Sequence, residues 1–486
     1  MAESLKSKAV RGAGWSFADS ILGQGVMFLV GLVLARLLTP EDYGLLAYLT
    51  ILISVSNSFV DSGFSNALIR KQDVKDIDYN TTFIANLLVS IVIVILLYFT
   101  APAISRFFER PELVPLIRVM SCIVVINAFS LIQKTRLTKN VDFKTQTKAS
   151  LISSISSGVI GVGMALNGFG VWSLVGQQLT RQILYTLFLW IFTKWYPKFQ
   201  FSIQSFKELF GFGWKLLVSS LIDTVWREIY QVIIGKFYSS ATLGQYTRAQ
   251  QFSSIFSSNL TSIVQRVSYP VLSELQDDKK RLKFGYRRVI KVTMLTSFVL
   301  MLGLAAVSKP LVITLIGEQW QVAVPMLQII CFQMMLYPLH VINLNMLQVQ
   351  GRSDLFLKLE VIKKIIAIGP LLLGIFVGIY WMLIGSVFTS IFAYYLNAYY
   401  SGPFLNYSIK GQIMDILPSF GVALLMAMIV YAISYINLPF LELLAIQLCV
   451  GGLITIALCE LFKLEEYKEI KCIAFSMLLK LKNNGK

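Results

Sequence analysis

Apolar stretches of membrane-spanning length, separated by short polar segments, recur along the chain from Gly14 to Phe462. A helix needs about 20 apolar residues to cross about 30 Å of hydrocarbon. The pattern therefore predicts an all-α polytopic membrane protein with about fourteen transmembrane helices and no soluble domain. The predicted spans are 13–37, 43–67, 79–103, 113–133, 149–167, 170–193, 209–235, 243–268, 289–308, 322–348, 359–378, 381–400, 413–435 and 440–462.

Basic residues are concentrated in alternate segments between the spans. The chain carries 43 Lys and Arg against 26 Asp and Glu, a net charge of +17. The segments Lys134–Lys148, Lys279–Lys291 and Lys463–Lys486 all fall on one side of the predicted topology. Because positive segments stay cytoplasmic, we expect a multi-pass protein of the bacterial inner membrane with both termini inside. Charges placed between spans also argue against a nucleic-acid partner.

The start of the chain combines Lys6, Lys8 and Arg11 with a following apolar run. That run is longer than the core of a signal peptide and contains Asp19. We therefore interpret it as an uncleaved first helix.

A weak internal repeat relates two parts of the chain. Gly12–Trp15 opens the first predicted span and Gly211–Trp214 opens the seventh, while Gly44 matches Gly244, at offsets of 199 and 200 residues. Six spans separate the copies, so the two halves share one orientation, and a pseudo-two-fold axis along the membrane normal relates them. The predicted domains are a six-helix lobe at 1–207, a second at 208–400, and two further helices with a cytoplasmic tail at 401–486.

One face of the eighth predicted helix is polar over nearly the full membrane thickness. At 100° per residue, the face runs about 27 Å from Arg248 to Arg266. It predicts one wall of a hydrated path for an anionic substrate, and the alternative is a seam of small polar residues between helices. The residues of the face are Arg248, Gln251, Ser258, Ser262, Gln265 and Arg266.

Other predicted helices carry charged groups that need a partner or water inside a membrane. Arg181 lies near the middle of the sixth, beside Gln178, and a guanidinium can grip a phosphate with two hydrogen bonds. In the seventh, Asp223 and Arg227 are four residues apart and can pair, either as a structural strut or in binding and gating. Asp19, Asp61 and Asp223 are the candidates for gating or for coupling to H⁺ or Na⁺.

Motifs for enzymatic chemistry are missing from the sequence. There is no phosphate-binding loop, no Ser/His/Asp arrangement and no metal-ligand spacing, so we expect a non-enzyme without a cofactor. Glu41 and Asp42 could mimic the catalytic acid of a membrane glycosyltransferase. Their predicted external loop is only a few residues long, which favours a helix cap instead.

Several stretches resemble the bacterial polysaccharide transporter (oligosaccharide flippase) family, within the superfamily of multidrug, oligosaccharidyl-lipid and polysaccharide exporters. The resemblance is carried mainly by the first two thirds of the chain, and the last third matches by hydropathy. The stretches are Ala35–Gly44, Gly63–Arg70, Gly170–Gln178, Leu243–Ala249 and Tyr269–Asp278.

The resemblance implies a two-lobed, V-shaped bundle that moves undecaprenyl-diphosphate-linked sugar repeat units from the inner to the outer leaflet. It further implies export of O-antigen, capsule or exopolysaccharide by alternating access, with membrane lipids and the pathway's polymerase and chain-length proteins as partners. The related lipid II flippase holds the pyrophosphate with arginines on its first two helices, where this chain has Asp19 and Asp61. The resemblance then implies that other residues bind the pyrophosphate, namely Arg181, Arg227, Arg248 and Arg266, with Gln178 and Gln251 as further contacts.

Two other functions stay open from the sequence. A cation-coupled multidrug exporter of the same superfamily would be expected to have about twelve spans and a cavity of acids and aromatics. An integral-membrane polysaccharide polymerase would need a sizeable external loop, which this chain lacks.

Overall fold

The computed structural model describes residues 22–61, 63–275 and 277–472, and all regular structure in these ranges is helical. Short 3₁₀ turns occupy Glu318–Trp320 and Gly402–Leu405, and a last helical segment covers 465–472. The helices are α1 (Leu22–Leu37), α2 (Pro40–Asp61), α3 (Phe64–Arg70), α4 (Asp76–Phe108), α5 (Leu113–Met120), α6 (Cys122–Lys139), α7 (Phe143–Leu166), α8 (Val171–Thr193), α9 (Ile203–Phe237), α10 (Ser240–Glu274), α11 (Lys279–Ile316), α12 (Ala323–Met334), α13 (Tyr337–Val349), α14 (Ser353–Ile366), α15 (Ile368–Phe376), α16 (Ile379–Ser401), α17 (Ile409–Ile433) and α18 (Phe440–Leu461).

The prediction of an all-α polytopic membrane protein is confirmed. Within the described ranges, nine helices or helix pairs are long and apolar enough to cross a membrane. They comprise α2–α3, α4, α5–α6, α7, α11, α12–α13, α16 with its 3₁₀ turn, α17 and α18. The other predicted spans are also helical, but α1 is described only from Leu22, and α8, α9, α10 and α14–α15 are not among the nine. Their polar faces lower their apolarity, so the count of about fourteen and the lobe symmetry stay predictions.

Two of the membrane spans are broken into two helices, one beside serine hydroxyls and the other at a glycine. Between α12 and α13, the carbonyl of Met334 accepts a hydrogen bond from Ser257 Oγ at 3.0 Å, and that of Met335 accepts one from Ser297 Oγ at 2.7 Å. These hydroxyls satisfy backbone groups that water cannot reach within a membrane. Between α2 and α3, Gly63 has φ of 71°, and a Cβ there would lie 2.5 Å from the carbonyl oxygen of Gly213 on α9.

The chain divides into two compact units, with the boundary along the sequence between Gly244 and Gln245. In the first unit, α7 packs against α8, α4 against α6, and α9 against α2, α3 and α4. Its aromatic core includes Phe64, Phe83 and Trp195. In the second unit, α11 packs against α12, α17 and α18, and α15 packs against α16. The domain boundaries at 207/208 and 400/401 stay predictions.

Candidate functional site

The adjacent acids Glu41 and Asp42 belong to the start of α2. Asp42 Oδ2 accepts hydrogen bonds from the Thr39 amide at 2.9 Å and the Thr39 hydroxyl at 2.8 Å, and the Asp42 amide donates to Thr39 Oγ1 at 3.3 Å. This reciprocal arrangement is a capping box, which satisfies the free amides of a helix N-terminus. The geometry therefore agrees with the helix-cap interpretation of this pair.

Polar side chains of α2 and α3 form hydrogen bonds with α6. Asn127 Nδ2 on α6 donates to Asn57 Oδ1 at 2.8 Å, and Thr135 Oγ1 donates to Ser65 Oγ at 3.2 Å. Asp61 is different, because its Oδ1 is buried and has no hydrogen-bond partner among the described residues. Asp19, the other acid assigned to gating, lies outside the described residues.

The polar residues of α8 divide between packing and exposure. Gln177 is buried, and Gln182 Nε2 donates to Ser130 Oγ at 3.4 Å. Gln178 is half-buried, whereas Arg181 is exposed. Of the predicted substrate contacts on this helix, the guanidinium is thus the more accessible one.

On α9 the charged residues predicted to act in binding or gating are exposed, and a different acidic residue is buried. Asp223 and Arg227 are both exposed. Glu228, to which the sequence assigned no role, is the buried carboxylate of this helix, and Gln231 Nε2 donates to its Oε2 at 2.7 Å. Thr224 is buried as well and its hydroxyl lies 3.0 Å from Ser58 Oγ on α2. Helical spacing alone did not mark Glu228, because its burial depends on the neighbouring helix.

Polar side chains cover two faces of α10. The buried face contains Ser253, Ser257 and Thr261, and Ser257 bonds to the α12–α13 break. The exposed row rises about 21 Å between Gln251 and Gln265. The two interpretations of this helix, a seam and an accessible polar wall, therefore apply to different faces. The exposed row consists of Gln251, Ser258, Asn259, Ser262 and Gln265.

Arg248 lies at one end of that row but is buried, with 8% of its surface exposed. Its Nη1 contacts Gln251 Oε1, and its guanidinium carbon lies 5.8 Å from the ring centre of the fully buried Trp320. The nearby Gln245 is fixed by two hydrogen bonds, donating to the Gln319 carbonyl at 2.7 Å and accepting from the Ala323 amide at 3.0 Å. Arg248 is thus held in place and orients Gln251. The side chain of Arg266 lies outside the described residues.

A buried polar cluster centred on Asn343, which the sequence pattern did not predict, joins four helices of the second unit. Asn343 Oδ1 on α13 accepts from Tyr286 Oη on α11 at 2.6 Å and from Ser401 Oγ on α16 at 2.8 Å. It also accepts from Gln412 Nε2 on α17 at 3.4 Å. All four residues are fully buried, so the cluster fixes helix packing. A mid-span asparagine was the only signal in the sequence.

Comparison with known proteins places these features in a family. Residues 33–325 match the family described as "Polysaccharide biosynthesis protein". Teichuronic acid biosynthesis protein TuaB of Bacillus subtilis is 26% identical over 354 residues, covering 72% of this chain and 73% of TuaB. Lipopolysaccharide biosynthesis protein WzxC of Escherichia coli is 24% identical over 377 residues, covering 76% of each chain. Succinoglycan biosynthesis transport protein ExoT of Rhizobium meliloti is 26% identical, covering 67% of this chain and 66% of ExoT.

Solved structures with the same fold are transporters. The lipid II flippase MurJ in an inward closed conformation has a TM-score of 0.73 at 16% identity, covering 95% of this chain and 99% of MurJ. An inward-facing multidrug transporter of the MATE family has a TM-score of 0.61 at 14% identity, covering 84% and 98%. At these identities the likeness concerns the fold. The family match, which spans more than half of the chain, establishes that this protein belongs to the polysaccharide biosynthesis protein family.

Proposed function

We propose that this protein is a flippase that moves undecaprenyl-diphosphate-linked oligosaccharide repeat units across the bacterial inner membrane for surface polysaccharide export. The observation that carries the proposal is the exposed polar row of α10, on a helix long enough to cross a membrane, in a member of this family. A sugar and a diphosphate both lose hydration in hydrocarbon, and polar groups along the path offset that loss. The names of the relatives support a saccharide substrate.

The diphosphate needs cationic partners. Arg181 and Arg227 are exposed in the first unit and are the proposed contacts of the phosphate oxygens, since a guanidinium can bind two of them at once. Arg248 and Arg266 on α10 complete the proposed set. The buried Arg248 acts by holding Gln251 towards the substrate. Gln178 and Gln251 are proposed to bind sugar hydroxyls.

Transport is proposed to follow alternating access, driven by H⁺ or Na⁺. Asp61 is the leading coupling residue because its buried carboxylate oxygen has no partner among the described residues. Asp19 and Asp223 are the further candidates. The proposed topology places both termini in the cytoplasm, with lobes at 1–207 and 208–400 and two extra helices at 401–486.

A cation-coupled multidrug exporter is the second candidate, because a multidrug transporter shares the fold. Such a protein binds cations, and exposed guanidinium groups at Arg181 and Arg227 would repel them. Drug sensitivity separates the two functions, since an exporter's deletion strain would become sensitive to cationic drugs while its surface polysaccharide stayed normal.

The direct test is deletion of the gene in its host. Lipid-linked repeat units should accumulate on the cytoplasmic leaflet, where sugar-specific reagents outside the cell do not reach them, and surface polysaccharide should be lost. Expression of the intact chain should restore both. Normal translocation of the repeat units in the deletion strain would contradict the proposal, provided that no second transporter is encoded.

A further inference from the structure

An apolar groove of about 920 Å³ lies on the surface of the second unit, between α15 and α16. One wall is formed by Gly369, Pro370 and Leu373 of α15, and the other by Gly385, Phe388 and Phe392 of α16. Phe388 is 67% exposed. The groove does not include any residue assigned above to transport.

The shape of the groove follows from a proline and two glycines. Pro370 has no amide hydrogen, so the carbonyl of Ile366 loses its helical donor, and α14 ends there before α15 begins at Ile368. Farther along, the two helices touch closely. A Cβ on Gly374 would lie 2.6 Å from Met382 Sδ, and one on Gly385 would lie 3.1 Å from Leu373 Cδ1. The groove runs from this contact to Ile366 and Tyr395.

A ladder of aromatic rings continues from the groove to a lysine. The rings of Phe392 and Tyr395 stack at 6.3 Å, and those of Tyr395 and Tyr399 also stack at 6.3 Å. Tyr400 meets Tyr399 at 5.3 Å, and Lys358 Nζ of α14 lies 5.7 Å from the ring centre of Tyr400.

Lys358 differs from two neighbouring basic residues, Arg352 and Lys363, which have acidic partners. Arg352 pairs with Asp354, and Lys363 pairs with Glu360. Lys358 is exposed and has no acidic partner among the described residues. The aromatic ladder that leaves the groove at Tyr395 therefore ends at a positive charge that is not neutralised by a salt bridge among the described residues.

The dimensions indicate what occupies the groove. Ten residues separate Gly385 from Tyr395 on α16, a rise of about 15 Å. The aromatic ladder adds five residues from Tyr395 to Tyr400, so an acyl chain that starts beside Lys358 follows the ladder for about 12 Å to Phe392, within the roughly 15 Å depth of one leaflet. The proposed topology puts the Lys358 end at the cytoplasmic surface, where anionic headgroups attract basic side chains.

We propose that this groove is a binding site for an anionic phospholipid of the inner leaflet, with one acyl chain lying along α15 and α16 and its phosphate beside Lys358. The site is separate from the transported substrate. It gives the protein a means to sense the charge of the surrounding lipid.

Native mass spectrometry of the detergent-purified full chain tests the proposal, with phosphatidylglycerol and phosphatidylcholine of identical acyl chains as probes. We expect the intact protein to retain phosphatidylglycerol preferentially. Lys358→Gln should reduce that preference about fivefold, the factor expected for loss of one basic contact at a membrane surface. Gly369→Phe should reduce retention of both lipids, because a Cβ on Gly369 meets no atom within 4 Å and the added ring would fill the groove.

Two control variants make the result specific. Gly452→Phe adds the same ring to α18 at another exposed glycine with no atom within 4 Å, and Lys280→Gln removes an exposed lysine at the start of α11. Both should bind lipid as the intact protein does. Equal retention of the two lipids, or equal effects of Gly369→Phe and Gly452→Phe, would overturn the proposal. Because binding is measured without transport, this result is independent of the flippase assignment.

Discussion

Gly44 and Gly244 stand at reciprocal positions in the crossing of α2 and α10. A Cβ on Gly44 would lie 1.8 Å from the carbonyl oxygen of Ser240, and one on Gly244 would lie 1.8 Å from that of Pro40. Each contact thus joins the fifth residue of one helix to the first residue of the other. Such an exchange of equivalent contacts is typical of two-fold related elements.

The two helix starts are also capped alike. Thr39 bonds with Asp42 before Gly44, and Ser239 bonds with Thr242 before Gly244, with 2.8 Å between the two side-chain oxygens in both cases. The local similarity matches the weak repeat in the sequence.

The crossing predicts that neither glycine tolerates a side chain. Gly44→Ala and Gly244→Ala should each lower the free energy of unfolding by about 1–3 kcal/mol, because the obstructing atoms are backbone and the helices must move apart. Thermal unfolding of the purified variants in detergent measures the effect. Gly452→Ala, with open space around its Cβ, is the matched control. Unchanged stability of both variants would show that the helices separate easily.

We expect substitution of an exposed arginine and of a buried arginine to have different effects on the protein. Arg227→Ala should abolish surface polysaccharide while the protein stays at its normal level, because an exposed side chain can be removed without leaving a cavity. Lys207→Ala, which removes an exposed charge at the start of the same helix, should have little effect. Immunoblots of membranes and assays of surface polysaccharide supply the two measurements. Normal transport by Arg227→Ala would remove it from the proposed substrate contacts.

Arg248→Ala should abolish transport by releasing Gln251 and leaving Trp320 uncovered. Arg248→Lys should rescue transport only partly, because an ammonium group cannot make the two-pronged, planar contact of a guanidinium. Transport and membrane level are measured together. If Arg248→Ala fails only because the protein is degraded, Arg248 is purely structural.

Asp61→Asn should reduce transport more than Glu41→Gln does. The amide keeps the shape of Asp61 but cannot take up and release a proton, whereas Glu41 is an exposed residue of a helix start. Rates of surface polysaccharide recovery in the complemented deletion strain provide the comparison. Equal, mild effects would assign Asp61 to helix packing.

The topology can be measured with reporter fusions. Fusions within Lys134–Lys148, Lys279–Lys291 and Lys463–Lys486 should all report the cytoplasm, because these basic segments resist translocation. A reporter active on the external side at any of the three would change the number of spans and the proposed lobes with it.

Acid should loosen the segment 465–472 from α11. Lys291 Nζ donates to Glu465 Oε2 at 3.1 Å, and this hydrogen bond lowers the pKa of the Glu465 carboxyl. A carboxylate whose pKa is lowered on folding stabilises the fold above its unfolded pKa, about 4.3, and that contribution is lost as the pH falls through the folded value. The protection of 465–472 against hydrogen exchange, measured relative to the intrinsic amide exchange rate at each pH, should therefore fall below about pH 4.3.

Glu465 accounts for only part of this acid response, because neighbouring acids form salt bridges with the same helix. Glu466 also pairs with Lys291, and Glu469 pairs with Arg288. Glu465→Gln should remove only part of the acid response, and Glu465 is exposed, so a small change is expected. Protection that is independent of pH in this range would contradict the role of these pairs.

The sequence by itself determined the class of protein, the family and the local helix starts. Inside the hydrocarbon, backbone N–H and C=O groups must form their hydrogen bonds within the same segment. Long apolar segments therefore become helices, independently of the segments that pack against them. The Thr39–Asp42 cap was predictable for the same reason, because a capping box involves residues only three positions apart. The helical period also placed Gln251, Ser258, Ser262 and Gln265 together on α10.

Only the tertiary structure decided which side of each polar helix is covered. Periodicity groups residues on a face but does not say what packs against it, so Arg248 proved buried against Trp320 while Gln251 is exposed. Glu228 was overlooked for the same reason. The Asn343 cluster joins four helices from distant parts of the chain, and the groove beside Pro370 depends on how α15 meets α16. Burial is set by neighbours that are remote in sequence, which a single-chain pattern does not encode.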